Sequence, residues 1–326
     1  MKLGVIGGGA WGTALAQVAA AGGEETLLWA LEPEVVEAVN SIHENTVFLP
    51  GVPLSREIRA TPDFADLNAC DGLLAAVPAQ HMRSVLELAP EWEQPLVLCS
   101  KGIEEKSGQL LHDVAREACP KAEVAVLSGP SFAHEVAAGR PTAVTLATER
   151  AGLGERLRDR LAKPEFRIYL SDDVVGAEIG GAVKNVLAIA CGVVDGAGLG
   201  QSARAALIAR GFAEMTRFGL ACGAQRETLA GMSGLGDLVL TCTSTSSRNY
   251  SLGHGIGQGR SAAELLADRR TVAEGAFTAP VLARLARDKG VDMPIVAAVA
   301  ALIAGSSSTD EVLSDLLARP PRSEAV

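Results

Sequence analysis

The chain has 326 residues, 48% of them hydrophobic, with a formal net charge of -10 and a pI near 5.1. That length suggests about two domains with a sizeable core, and the hydrophobic content excludes a disordered chain. The acidic balance argues against broad, sequence-independent nucleic-acid binding, which needs a basic surface to displace counterions, so any anionic ligand must meet locally placed cations.

In chain order, residues 2–13 read KLGVIGGGAWGT. Leu3–Ile6 is an apolar run with the character of a buried strand, 13–21 is an alanine-rich helix and 25–29 a second strand, which together make one βαβ unit. Gly7, Gly9 and Gly12 stand between strand and helix at GxGxxG spacing, where a dinucleotide's pyrophosphate would sit. The first glycine turns the chain, the second lets backbone N–H groups approach phosphate, and the third packs helix on strand. The helix N-terminus adds partial positive charge. Lys2 and the small residues after it also imitate a secretory signal, but three glycines within six residues oppose a helical signal core.

Further strand-like runs recur at 73–77, 96–100, Val124–Ser128, Thr142–Ala147 and 166–170, and helix-like segments alternate with most of them. This predicts a largely parallel sheet covered on both faces, with ligands at the carboxyl ends of its strands. Pro78, Lys101, Gly129 and Ser131 follow those ends and become candidates for function. Beyond about Ser171 the texture changes to long Ala, Leu, Val and Ile stretches that predict helices at 177–194, 203–222, 262–267, 280–289, 295–303 and 311–317. The expected organisation is an α/β domain over 1–172 and an all-α domain over 173–326. The Ser, Thr, Asn and Gly-rich segment 241–259 reads as a long functional loop, and the final PPRSEAV as a disordered end.

The apolar segment 293–305 is short, and the stretch around Leu187 carries Glu178 and Lys184, so neither predicts a membrane span. Cys70, Cys99, Cys119, Cys191, Cys222 and Cys242 are scattered without a CxxC pair, which suggests free, mostly buried thiols in a reducing cytoplasm. The five histidines are equally dispersed, and no metal site is predicted.

Lys184 lies in GGAVKNVLAIA, so apolar that its helix should be enclosed on most sides; a buried ammonium is costly unless it is paired. Its bland account is a snorkelling or structural lysine. Gly180 and Gly181, one turn earlier, leave room for a small ligand or another helix. In GLGDLVLTCTSTSSRNY, Asp237 precedes a short apolar run, and Ser247, Arg248 and Asn249 follow together. Arg248 offers a planar fork suited to phosphate, although an exposed arginine in a polar loop is the default. Lys101 opens SKGIEE at the sheet's ligand edge, Gly129 and Ser131 lie in GPSFAHE, and Glu274 lies in TVAEG. Each of these alone could be an ordinary turn or surface residue.

In this order, GGGAWGTALA, SKGIEE, SGPSFAHEVAAGRPTAV, GGAVKNVLAIACG, GLGDLVLTCTSTSSRN and TVAEG closely resemble bacterial NAD(P)-dependent glycerol-3-phosphate dehydrogenase. The likeness covers most of the chain. It implies a Rossmann-type doubly wound sheet followed by the helical domain. It also implies that Lys184 transfers the proton of the substrate hydroxyl, with Lys101, Asn185, Asp237 and Thr241 around it. Lys101, Gly129, Ser131, Lys184, Asp237, Ser247, Arg248 and Asn249 would contact the small phosphorylated substrate. Gly7, Gly9, Trp11, Gly12, Lys101, Ala133, Arg248, Val272 and Glu274 would line an NAD or NADP site.

One departure bears on the cofactor. WALEPE places Leu31 and Glu32 where such proteins often carry a basic or polar residue. Glu32 stands near the position of a carboxylate that bonds a ribose 2′-hydroxyl and repels a 2′-phosphate, which favours NAD. Two other readings stay open: a related dehydrogenase of another hydroxy acid or phosphorylated alcohol, and a dinucleotide sensor without turnover. The expected product is glycerol 3-phosphate for phospholipid synthesis in the cytoplasm, and the sequence leaves room for a homodimer.

Overall fold

The computed structural model describes residues 1–89, 91–267 and 272–318. The chain forms two compact units, one from 1–100 and 111–174 and the other from 101–110 and 175–326.

The first unit is built on an eight-stranded sheet of order β10-β9-β8-β7-β6-β1-β2-β5. Its strands are β1 (Leu3–Ile6), β2 (Thr26–Trp29), β5 (Ile58–Thr61), β6 (Gly72–Ala75), β7 (Leu96–Leu98), β8 (Val124–Ser128), β9 (Thr142–Ala147) and β10 (Phe166–Ser171); β3 (Glu44–Asn45) and β4 (Leu49–Pro53) form a separate antiparallel pair. All pairings in the large sheet are parallel except β8 with β9. β1, β2 and β6 are buried along their whole length, which is why they read as near-continuous apolar runs rather than alternating ones. Strand order reverses between β1 and β6, so the glycine turn after β1 opens at the switch point where doubly wound sheets take their ligands.

The helices of this unit are α1 (Ala10–Ala20), α2 (Pro33–Ile42), α3 (Met82–Leu86), α4 (Leu111–Ala118), α5 (Ala133–Ala137) and α6 (Ala151–Leu161). Leu3, Val5, Leu15, Leu28, Val35, Leu74 and Val97 belong to one core that joins strands to helices. β3, β4 and β5 were not expected. β5 reads IRAT, too short and too polar to register as a strand until β2 is present to pair with it.

The second unit is helical: α7 (Val174–Gly196), α8 (Gly200–Ala221), α9 (Arg226–Ala230), a π-helical turn Met232–Gly236, α10 (Asp237–Cys242), α11 (Arg248–Gly257), α12 (Ala262–Leu265), α13 (Glu274–Asp288), α14 (Pro294–Ala304) and α15 (Thr309–Ala318). α7 is long and apolar enough to cross a membrane, yet 94% of its most apolar stretch is buried by the helices around it. It is the core helix of this unit, with Val183, Val186, Leu187 and Ile189 at its centre.

Three expectations require correction. A single cut at 172/173 misassigns 101–110, because Ile103 is fully buried in the helical core and Lys101 pairs with Asp237 there. The segment 241–259 is not one loop: 241–242 end α10 and Arg248–Gly257 is α11, started by Ser247, whose Oγ accepts the Tyr250 N–H at 3.2 Å. Glycines at 253, 255 and 257 lower helix propensity, but packing overrides it; a Cβ at Gly253 would lie 1.9 Å from the Ile189 carbonyl oxygen on α7. α13 begins at Glu274 and runs through Pro280, because Ala279, Val281 and Leu282 are buried in the core and hold the turn in place. The segment PPRSEAV lies outside the described residues.

Gly253→Ala forces a methyl group into backbone atoms that cannot swing aside. It is expected to lower stability by about 1–3 kcal/mol, read as a lower urea midpoint for unfolding of the purified chain.

Candidate active site

Two helices bring the chemistry of the second unit together. α7 carries Lys184 and Asn185, and α10 carries Asp237 and Thr241 one turn apart on a single face. The Lys184 Nζ lies 3.2 Å from Asp237 Oδ1 and donates to Thr241 Oγ1 at 2.9 Å; that hydroxyl donates in turn to Asp237 Oδ1 at 3.1 Å. Lys101 reaches the other carboxylate oxygen, with Nζ at 2.6 Å from Oδ2. Asp237 is 1% exposed and Lys184 8%.

Two ammonium groups therefore share one buried carboxylate, and that imbalance sets the titration of the site. Burial pushes the Asp237 carboxyl up, but the charges of Lys101 and Lys184 together outweigh it and hold the group below its ordinary value. For Lys184 the balance goes the other way. Burial lowers its pKa, Asp237 raises it, the second ammonium lowers it again, and the result is about 8 against an ordinary 10.5. A lysine in this range exchanges its proton readily near neutral pH.

A chain of amides surrounds the cluster. Asn185 Nδ2 donates to the Lys101 carbonyl at 3.4 Å, Asn249 Nδ2 donates to Asn185 Oδ1 at 3.0 Å, and the Gly275 N–H donates to Asn249 Oδ1 at 2.9 Å. The two asparagines thus tie the 101–110 segment, α7, α11 and the start of α13 into one frame. Ser247 is buried at the N-cap of α11 while Arg248, the first residue of that helix, is exposed; Val272 and Glu274 are half-buried at the entry to α13. The space expected beside Gly180 is filled by protein, since a Cβ there would lie 2.4 Å from the Ser233 carbonyl oxygen in the π-helical turn that leads into Asp237.

In the first unit, Gly7 has φ +115° and a Cβ at Gly12 would lie 1.9 Å from the Gly7 carbonyl oxygen, so α1 starts directly against the turn. Gly9 is the N-cap of α1 without a side-chain cap, which leaves backbone N–H groups of the first turn for an anion. The half-buried Trp11 is fixed by its Nε1 donating to the Cys99 carbonyl at 3.0 Å. After β8, Gly129 adopts φ +151°, Ser131 Oγ donates to its carbonyl at 3.0 Å, and Ala133 opens α5, which packs on α1. Glu32 is half-buried at the N-cap of α2, just past β2, and Leu31 beside it is 74% exposed. This glycine turn and open helix terminus fit a dinucleotide diphosphate. Among the described residues no cluster of three or more His, Cys, Asp or Glu side chains could hold a metal.

Asn45 escapes a reading of the sequence alone. It is fully buried and bonds both the Gly8 carbonyl and Thr13, yet it stands in an unremarkable HENTVFLP segment that carries no spacing or composition signal.

Two family models match in succession: the N-terminal part of NAD-dependent glycerol-3-phosphate dehydrogenase over 2–153 and its C-terminal part over 173–314. The chain is 65% identical over 323 residues to a glycerol-3-phosphate dehydrogenase (NAD(P)+) of Erythrobacter litoralis, covering 99% of this chain and 98% of that protein. It is 60% identical over 326 residues to one of Novosphingobium aromaticivorans, again with 99% and 98% covered. Among solved structures, the glycerol-3-phosphate dehydrogenase of Coxiella burnetii superposes with a TM-score of 0.93 at 36% identity, over 98% of this chain and 99% of that one. Sequence along the whole length, the order of the two matched parts and the backbone fold agree, and the chain belongs to the NAD-dependent glycerol-3-phosphate dehydrogenase family.

Proposed function

We propose that this protein interconverts sn-glycerol 3-phosphate and dihydroxyacetone phosphate with NAD(P), and so supplies glycerol 3-phosphate for phospholipid synthesis. The observation that carries the reading is the buried Lys184–Asp237–Lys101 cluster, a proton-exchanging amine whose pKa lies near neutrality, in a chain of this family. When bound, the nicotinamide supplies or accepts the hydride. Gly7, Gly9, Trp11, Gly12 and Ala133 of the first unit would hold the dinucleotide; the family resemblance also implies Lys101, Arg248, Val272 and Glu274 as cofactor contacts.

In the oxidative direction, neutral Lys184 takes the proton from the C2 hydroxyl; in the reductive direction, its ammonium returns a proton to the forming alkoxide. Lys101 keeps a second positive charge beside that oxygen and stabilises the negative charge that develops on it. Asp237 holds both ammonium groups in place, and Thr241 fixes the Lys184 side chain between them. The exposed Arg248 would grip the phosphate with Ser247 and Asn249, and this remote binding energy orients the reacting carbon; Gly129 and Ser131 are further substrate contacts that the family resemblance implies. Asn185 positions the Lys101 backbone. The runner-up is a related dehydrogenase of another hydroxy acid or phosphorylated alcohol; an unphosphorylated hydroxy acid would leave Arg248 and its polar neighbours without a role. All six cysteines are free, which supports a reducing, cytoplasmic setting.

The activity is checked by following nicotinamide absorbance with NADH or NADPH and dihydroxyacetone phosphate; no substrate-dependent oxidation would reject the proposal. Lys184→Ala is expected to reduce kcat by about 10²–10⁴-fold while NADH binding survives, and near-normal turnover would remove the proton-transfer role. With Lys184 near 8, kcat/KM for glycerol 3-phosphate oxidation should rise as pH passes upward through that value, and that for reduction should fall over the same range. Asp237→Asn deletes the charge that raises the Lys184 pKa, so both profiles of the residual activity move to lower pH. Glu32, at the N-cap of α2 just past β2, would meet the adenosine ribose of a bound dinucleotide and so favour NADH over NADPH. Glu32→Ser should improve kcat/KM for NADPH by about tenfold, and a wild-type preference for NADPH refutes that assignment.

A further inference from the structure

The glycine turn contains three consecutive glycines, Gly7 to Gly9, so its own backbone does little to decide which way each peptide faces. The Gly7 N–H is held by the Trp29 carbonyl at 3.0 Å, and the Gly8 carbonyl accepts from two side chains outside the turn, at 3.4 Å from the Thr13 hydroxyl and at the shorter 2.8 Å from Asn45. Asn45, in β3, is fully buried; its Nδ2 donates to the Gly8 carbonyl at 2.8 Å and to Thr13 Oγ1 at 2.8 Å, and its Oδ1 accepts the Phe48 N–H at 3.0 Å. Both amide hydrogens and the amide oxygen are engaged, which fixes the orientation of the amide.

The Gly8–Gly9 peptide is trans and planar, so its carbonyl and its N–H point in opposite directions. A Gly8 carbonyl held toward Asn45 therefore turns the Gly9 N–H to the other side. Gly9 is the uncapped start of α1, and a Cβ there would meet nothing within 4 Å, so no protein atom crowds the residue on its side-chain face. The second bond, to Thr13, ties the same amide to the next turn of α1, whose backbone N–H already reaches the Gly9 carbonyl at 2.9 Å.

We infer that Asn45 is a positioning residue for the dinucleotide, aiming the Gly9 N–H and the first turn of α1 at the ligand's diphosphate. The inference rests on the cofactor reading above. It also explains the β3–β4 pair, which carries one amide to the back of the phosphate-binding turn.

The test uses the full chain and titrates NADH by its fluorescence, with ADP-ribose and adenosine as competitors. If the wild-type protein fails to bind NADH, the cofactor reading fails before Asn45 is at issue. Given binding, Asn45→Ala is expected to weaken NADH and ADP-ribose by about tenfold while adenosine, which has no phosphate, stays within about twofold. In turnover, KM for NADH should rise, with kcat and KM for dihydroxyacetone phosphate little changed. NADH affinity within about twofold of wild type overturns the inference, as does equal loss of ADP-ribose and adenosine, which would mean that Asn45 only supports the nucleoside pocket. Should Asn45→Ala not fold, Asn45→Ser, shorter but polar, is read by the same outcomes.

Discussion

Two ammonium groups share a single carboxylate in the interior of the helical unit, and the packing around them has to hold that unbalanced arrangement. A lone lysine as enclosed as Lys184 would give up its proton, and a lone aspartate as enclosed as Asp237 would take one. Placed together with Lys101, the aspartate is held ionised and Lys184 is left near its midpoint. Removing one member of a buried pair typically costs about 3–5 kcal/mol, because the remaining charge loses its partner without regaining water. The cluster is thus a structural liability on which the chemistry of the site depends.

The scaffold explains how the liability is held. α7 is enclosed by its neighbours, so Lys184 cannot snorkel to solvent. The π-helical turn before α10 presses on Gly180, which brings Asp237 and Thr241 down on the lysine. The asparagine chain from Lys101 to Gly275 adds bonds that satisfy buried amides and keep four segments in register. In the other unit the same logic recurs with neutral groups: a buried amide behind three glycines supplies the rigidity that glycine lacks.

Much of this was legible in the sequence. The βαβ opening, the strand runs, the change of texture near Ser171 and the apolar lysine segment all follow from periodicity, because parallel strands buried on both faces and helices buried all round leave unmistakable apolar runs. Asp237 was visible at the head of a short apolar run, and the family resemblance supplied its role and that of Thr241, which the composition had placed in a loop. By contrast, α11 was hidden by its glycines, and the part of α13 before Pro280 by that proline, since close packing against α7 and the core outweighed poor local propensity in both.

Local order along the chain therefore determined the kinds of elements, the phosphate-binding turn and the identity of the reactive side chains. Only tertiary structure decided that 101–110 joins the helical unit, that Lys101 and Lys184 converge on a single carboxylate, and that Asn45 stands behind the glycine turn. The reason is physical: propensity and periodicity act between near neighbours. A charge's partner, its loss of water and the direction of a peptide group are set by residues far away in the chain, as with Lys101 and Asp237, 136 positions apart.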